Sequence, residues 1–141
     1  RIKAGGIDNS AVVVPKILWD VCQAVNYLHT LNPPIVHRDI KPENLLFFGE
    51  KIKLADFGSC NFVTDIIKDT VCGTPEYLAP EMILRKGHNE KLDIWCIGIL
   101  AYELYFGYTP FSDCLPATPL PATKASLFST LTTHILVIDG R

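Results

Sequence analysis

The sequence predicts a mainly α-helical domain with one small β-hairpin. Three observations carry that reading. Apolar residues recur at helical spacing after Pro15, the stretch Asp93 to Phe106 is apolar almost all round a helical wheel, and two short apolar runs flank Gly49-Glu50. A chain of 141 residues suffices for one domain with a real core, burying roughly 70% of the surface its unfolded form exposes.

Residues 1–14 carry Gly5-Gly6 and read as a loop. From Pro15, the positions Ile17, Leu18, Val21, Cys22, Val25 and Leu28 form one apolar face, with Lys16, Asp20, Gln23 and Thr30 elsewhere on the wheel. Proline suits the first helical position, where its missing N–H has no partner to lose. Pro33-Pro34 ends the segment.

Leu45 to Phe48 and Lys51 to Ala55 read as two strands. Glycine at the first central position of their connection fits a type II′ turn. Ile52 and Leu54 alternate with Lys51 and Lys53, so this second strand is expected to bury one face only. The hairpin places Asn44 and Asp56 at neighbouring ends. Residues 59–80 show no sustained period and contain Gly73 and Pro75, as a long functional loop does. The segment 93–106 is expected to be a helix covered on every side. Beyond Phe111, Leu115-Pro116-Ala117-Thr118 recurs as Leu120-Pro121-Ala122-Thr123. Residues 112–141 therefore read as a low-complexity, unstructured tail, with at most a short strand at Ile135 to Ile138.

The formal charge of −2, with scattered lysines and arginines, gives no electrostatic case for nucleic acid or an anionic membrane. Five cysteines (Cys22, Cys60, Cys72, Cys96, Cys114) are widely spaced and include no C-x-x-C. That pattern argues for reduced, mostly buried thiols rather than a disulfide framework or a zinc site. The first residues do not read as a signal peptide, so none is expected, and the longest uncharged apolar run, Ile94 to Tyr102, is too short to span a bilayer. An intracellular location, cytoplasmic or nuclear, is the expectation.

The chemistry concentrates in residues 37–58: His37-Arg38-Asp39, Lys41-Pro42-Glu43-Asn44 and Asp56-Phe57-Gly58. A loop of five positions can turn Asp39 and Asn44 toward one pocket. A carboxylate there orients a substrate hydroxyl and accepts its proton, worth typically about 10² to 10⁴-fold in rate. Asn44 and Asp56 offer hard oxygen ligands suited to magnesium. Lys41 can neutralise charge on a transferred phosphoryl group.

The octet HRDIKPEN followed by DFG makes residues 16–111 resemble the C-terminal lobe of a eukaryotic protein kinase. The resemblance implies that lobe's fold, truncated at both ends, with a partial kinase domain over 1–111. It implies ATP as co-substrate and Mg²⁺ as cofactor. In that family Asp39 is the catalytic base, Asn44 a magnesium ligand and Asp56 the principal one. Lys41 contacts the γ-phosphate, Glu43 joins Lys41, Asn44 and Asp56 as a cofactor-binding residue, and Thr74 bridges Lys41 and Asp39. His37 and Phe57 pack on each other in the hydrophobic spine, Asp93 caps the catalytic loop, and Glu81 pairs with an arginine from a later helix.

Lys41-Pro42-Glu43 and the run Gly73 to Glu81 resemble the serine/threonine branch, implying protein substrates that present those hydroxyls. Thr70 stands four residues before Thr74, as in Aurora-like and cyclic-nucleotide-dependent-like kinases. It is the candidate activation-loop phosphosite for an upstream kinase, with Arg38 as the phosphate's partner. Cys22-Gln23-Ala24-Val25 and Asn32-Pro33-Pro34-Ile35 resemble a different branch, the Numb-associated kinases, so the subfamily stays open.

No G-x-G-x-x-G occurs in the chain. Val13-Val14-Pro15-Lys16 is a poor match to V-A-I-K, because proline beside the lysine removes a ladder donor. The expectation is a kinase fragment without its N-terminal lobe, showing no phosphotransfer and poor solubility when isolated. The alternative is a catalytically inactive, kinase-derived binding module. A small-molecule phosphotransferase shares the H-x-D-x-x-x-x-N spacing but lacks an activation segment like Gly73 to Glu81.

Overall fold

The computed structural model of the protein describes residues 10–63, 73–84 and 87–112. The first helix, α1, spans Ser10–His29. Its buried apolar positions are Val14, Ile17, Val21, Val25 and Leu28, three or four apart, as one helix face requires. The helix starts five residues before Pro15, which corrects the expectation of a loop through residue 14 with proline at the first helical position. A proline one turn into a helix removes a single bond to the carbonyl four residues back. Val14, only 5% exposed, gives the extra turn an anchor in the core.

Four short strands follow among the described residues. β1 (Ile35–Val36) pairs antiparallel with β4 (Asn61–Phe62), and β2 (Leu45–Phe48) pairs antiparallel with β3 (Lys51–Leu54). The β2–β3 register places Phe48 opposite Lys51, leaving Gly49-Glu50 as a two-residue turn. Gly49 has φ +61° while Glu50 stays out of the left-handed region, as a type II′ turn demands. Ile52 is buried between exposed Lys51 and Lys53.

Asp20, a polar wheel position in α1, proves to be buried. Its Oδ2 accepts the Ile52 N–H at 2.9 Å, satisfying an outward-facing donor of β3 and tying the hairpin to the helix. β4 interrupts a stretch expected to be loop. Two-residue strands carry no readable alternation, and this one exists through pairing with β1.

A four-residue helix, α2 (Pro80–Ile83), precedes α3 (Lys91–Phe106). The core lies between α1 and α3, where Leu92, Cys96, Ile99 and Leu100 meet Ile17, Val21 and Val25, with Ile40, Ile52 and Met82 filling in. Covering of α3 is incomplete: Ile94, Tyr105 and Phe106 are exposed. Of the cysteines, Cys96 is buried, Cys60 half-buried and Cys22 exposed. Thr70, Cys72, Cys114, Gly5-Gly6 and the segment 113–141 lie outside the described residues. Among those described, no helix is long and apolar enough to cross a membrane.

Candidate active site

β1 runs directly into the loop that carries His37, Arg38 and Asp39, all buried. Arg38 sits at φ +69°, a left-handed conformation that costs a non-glycine residue about 1–2 kcal/mol. Asp93, in the first turn of α3 and fully buried, holds this bend. Its Oδ2 accepts the His37 N–H and its Oδ1 the Arg38 N–H, each at 2.9 Å. The Arg38 side chain donates through Nε to the Ser59 carbonyl at 2.6 Å.

The bend delivers Asp39 into a ring of donors. Lys41 Nζ is 2.8 Å from its Oδ2, Asn44 Nδ2 donates to the same oxygen at 3.0 Å, and Thr74 Oγ1 donates to Oδ1 at 3.0 Å. Lys41 Nζ also donates to Thr74 Oγ1 at 2.9 Å, closing the ring. Burial pushes the Asp39 carboxyl up, but hydrogen bonds from Lys41, Thr74 and Asn44 outweigh it and hold the group below its usual range. Asp39 is therefore a well-oriented anion rather than a strong base.

Asn44 closes a short 3₁₀ turn, Pro42–Asn44, at the start of β2. Its Nδ2 also donates to the Asp39 carbonyl at 2.7 Å. Both acceptors are oxygens that cannot donate, so the amide orientation is fixed and Oδ1 is turned to other partners. The Ala55 N–H donates to the Asn44 carbonyl at 2.8 Å, which sets Asp56 beside Asn44 across the strand ends.

Asp56 has φ +61°, and its Oδ1 accepts the Gly58 N–H at 3.2 Å. Its carboxylate is exposed. Asn44 and Asp56 thus offer two hard oxygen ligands on adjacent elements. Among the described residues no three acids, histidines or cysteines form a metal cage. Two protein oxygens suit an ion such as Mg²⁺, which retains waters and phosphate oxygens in its shell.

His37 and Phe57 meet edge to face, with ring centroids 5.1 Å apart. His37 Nε2 donates to the Ala55 carbonyl at 3.1 Å, and its Nδ1 faces the Asp39 N–H at 3.4 Å. That pattern needs a neutral ring. Burial, outweighing the attraction of Asp93, lowers the His37 pKa and favours the same state.

Thr74 reaches Asp39 because Gly73 lies against the loop that carries Arg38 and Asp39. Gly73 has φ +97°, and a Cβ there would stand 2.8 Å from the Arg38 carbonyl oxygen. Only glycine permits both. Downstream, Glu81 is half-buried in α2 and has no ion-pair partner among the described residues. It lines a cleft of about 700 Å³ with Lys91, Ile94, Trp95, Gly98 and Ile99.

Glu43 is exposed in the 3₁₀ turn and forms no part of the Asp39 ring. Tyr77 donates to Glu103, and burial, with that carboxylate, pushes the Tyr77 hydroxyl pKa up. The candidate phosphosite Thr70 lies outside the described residues, so its relation to Arg38 is not part of the geometry.

Sequence reasoning missed His29, whose Nε2 stands 2.8 Å from Asp93 Oδ2. It also missed Asp20 as the hairpin's anchor. Neither carries a local signal, because each acts on a residue distant in sequence.

Residues 3–124 match the protein kinase domain. The chain is 50% identical over 95 residues to the cAMP-dependent protein kinase catalytic subunit of Arthrobotrys oligospora, covering 67% of this chain and 18% of that protein. It is 45% identical over 98 residues to Aurora kinase C of Mus musculus, covering 69% and 35% respectively. Calcium/calmodulin-dependent protein kinase type 1 of Macrobrachium nipponense is 43% identical over 101 residues, with 69% and 29% covered. The chain thus spans between 18% and 35% of the length of these relatives. Three differently named kinases match at similar identity.

Proposed function

This chain belongs to the protein kinase domain family, with a serine/threonine-protein kinase, DCLK1 of Rattus norvegicus, among its relatives at 47% identity over 100 residues, and from that membership we propose that it transfers phosphate from ATP to serine or threonine hydroxyls of proteins. Its residues correspond to the catalytic-loop side of the ATP site, in the C-terminal lobe. The observation that carries the reading is the Asp39 carboxylate held by Lys41, Asn44 and Thr74 at 2.8–3.0 Å.

In this reading Asp39 orients the attacking hydroxyl and accepts its proton. Its lowered pKa keeps it ionised and hydrogen-bonded in place, which matters because catalysis of phosphoryl transfer is mostly positioning and electrostatic stabilisation. The ring of donors fixes the carboxylate before substrate arrives. Lys41, shared between Asp39 and Thr74, presents its charge where the transferred phosphoryl oxygens gather. Asn44 Oδ1 and Asp56 would hold magnesium. That ion supplies charge neutralisation of the β- and γ-phosphate oxygens when bound. The Asp93 clasp and the Gly73 contact keep Asp39 and Thr74 in register. Thr70, phosphorylated by an upstream kinase, would present a dianion for Arg38 to bind.

No G-x-G-x-x-G occurs in the 141 residues, so the proposal concerns transfer by a domain in which these residues meet a glycine-rich loop. The test fuses the chain to the small lobe of a cAMP-dependent relative and measures phosphate incorporation into a serine peptide. Incorporation that Asp39→Asn and Asp56→Asn each abolish is the expected result. A fusion that folds and binds Mg-ATP but transfers nothing would sink the reading.

A further inference from the structure

We propose that Asp20 is a positioning residue of the magnesium site: by holding the Ile52 N–H it fixes the direction of β3, and with it the place of the Asp56 carboxylate relative to Asn44. The role rests on the phosphoryl-transfer reading above and assigns a residue of α1 to the metal side of that site.

Asp20 is 9% exposed, and among the described residues no ion pair engages it. A buried carboxylate on a neutral donor contributes little net stability, because desolvation offsets the bond. What it supplies is direction. Ile52 also packs in the core between α1 and α3, but apolar contact is non-directional. It resists withdrawal of the strand from α1 more than sliding along it. The hydrogen bond from the Ile52 N–H to Asp20 Oδ2, at 2.9 Å, stops the slide.

The hairpin register makes the consequence specific. Phe48 and Lys51 close a two-residue turn, so the bonded pairs are Phe48–Lys51, Leu46–Lys53 and Asn44–Ala55. The Ile52 N–H therefore points away from β2, toward α1. Asn44 is pinned to Asp39, its Nδ2 donating to the Asp39 carbonyl at 2.7 Å and to Oδ2 at 3.0 Å. Asp56 has no such tether: its Oδ1 accepts only the nearby Gly58 N–H, and its place follows from β3. Outside the hairpin, the described residues hold β3 and Ala55 by two hydrogen bonds, from His37 Nε2 to the Ala55 carbonyl and from Ile52 to Asp20. These lie about 10 Å apart along the strand. One fixed point lets a strand pivot, whereas two set its direction.

The test compares Asp20→Ala, which removes the acceptor and keeps helix propensity, with Asp20→Asn, which keeps an oxygen at the same reach. The first readout is amide hydrogen exchange in the full chain. Asp20→Ala should lower protection at Ile52 and Ala55 by about tenfold, while α3 and the His37 and Arg38 amides keep theirs. Asp20→Asn should restore it to within about threefold. The second readout is the affinity of the ATP-loaded small-lobe fusion for Mn²⁺, read from the electron paramagnetic resonance of the free ion. Asp20→Ala should weaken it about threefold or more, with recovery in Asp20→Asn. In an Asp56→Asn background Asp20→Ala should cause no further loss, because Asp20 acts through that ligand.

Unchanged Mn²⁺ affinity in Asp20→Ala overturns the proposal, as does an equal loss with and without the Asp56 carboxylate. So does a loss of protection spread evenly over α1, α3 and the hairpin, which marks a merely structural role. A folded wild-type fusion that takes up no Mn²⁺ overturns this role and the metal site together. One that binds Mn²⁺ and ATP but transfers nothing refutes the phosphoryl-transfer reading instead, and the affinity comparison then decides the role of Asp20 alone.

Discussion

Thr74 Oγ1 lies 3.0 Å from Asp39 Oδ1, although 35 positions separate the two in sequence. The same hydroxyl accepts a hydrogen bond from Lys41 Nζ at 2.9 Å. One small side chain therefore bridges the carboxylate and the ammonium of the candidate site, which also meet directly at 2.8 Å. Without it, Lys41 has only the carboxylate to hold it, and the carboxylate loses one of its three side-chain donors.

Thr74→Ala should accordingly lower kcat by about 10- to 100-fold, the scale of misplacing one general-base group. Thr74→Ser keeps the hydroxyl and should stay within about threefold of wild type. Phosphate incorporation by the small-lobe fusion measures both. Equal losses in the two variants would mean that the methyl group, not the bridge, is what matters.

Gly73→Ala should be costly for a reason independent of the hydroxyl. Its φ of +97° disfavours any Cβ, and the new atom would stand 2.8 Å from backbone at Arg38 rather than from a flexible side chain. The expected destabilisation is about 1–3 kcal/mol, read from urea unfolding of the full chain. Gly49→Ala also has positive φ, but a Cβ there meets nothing within 4 Å. It isolates the conformational cost and should be the milder change. A milder effect at Gly73 than at Gly49 would contradict the close approach to Arg38.

The parts of this fold legible in the sequence are those that a periodic pattern or a local motif encodes. The apolar face Ile17 to Leu28 located α1, and Gly49-Glu50 located the hairpin to within a residue. The start of α1 was not legible, because Pro15 carries the signature of a first turn and the burial of Val14 overrides it. β4 was not legible, because two residues have no period and Asn61 and Phe62 acquire theirs from β1. In the candidate site, HRDIKPEN and DFG mark by their spacing the residues that the structure brings together around Asp39. Asp20 and His29 announce nothing, since their meaning lies in Ile52 and Asp93 across the core.

Cysteine reactivity gives a test of the packing that needs no activity. Burial pushes the Cys60 thiol up to about 11 from an ordinary 9.0, and that of Cys96 upward as well. Raised values mean less thiolate at any pH below them, and the thiolate is the reactive form. Iodoacetamide at pH 8 should therefore label exposed Cys22 well before Cys60 and Cys96, with denaturant equalising the three. Peptide mass spectrometry resolves each position. Early labelling of Cys96 in the native chain would be incompatible with its place between α1 and α3.

The pH dependence of stability follows from the neutral state of His37. In the unfolded chain this imidazole takes up a proton as pH falls through about its ordinary 6.5. In the fold, burial keeps its pKa lower, and protonation would also destroy the Nδ1 acceptor facing the Asp39 N–H. The unfolded state therefore binds more protons in this window, so stability is full above pH 6.5 and declines as pH falls below it. His88, also lowered by burial, acts in the same direction. Asp39, held below its ordinary 3.8, adds its loss only at more acid pH. His37→Phe keeps an aromatic ring against Phe57 but cannot titrate. Its urea midpoint should start lower, since the Ala55 carbonyl loses its donor, yet fall less steeply between about pH 7.5 and 5.5. Parallel slopes for variant and wild type would show that His37 is not the group whose protonation destabilises the fold.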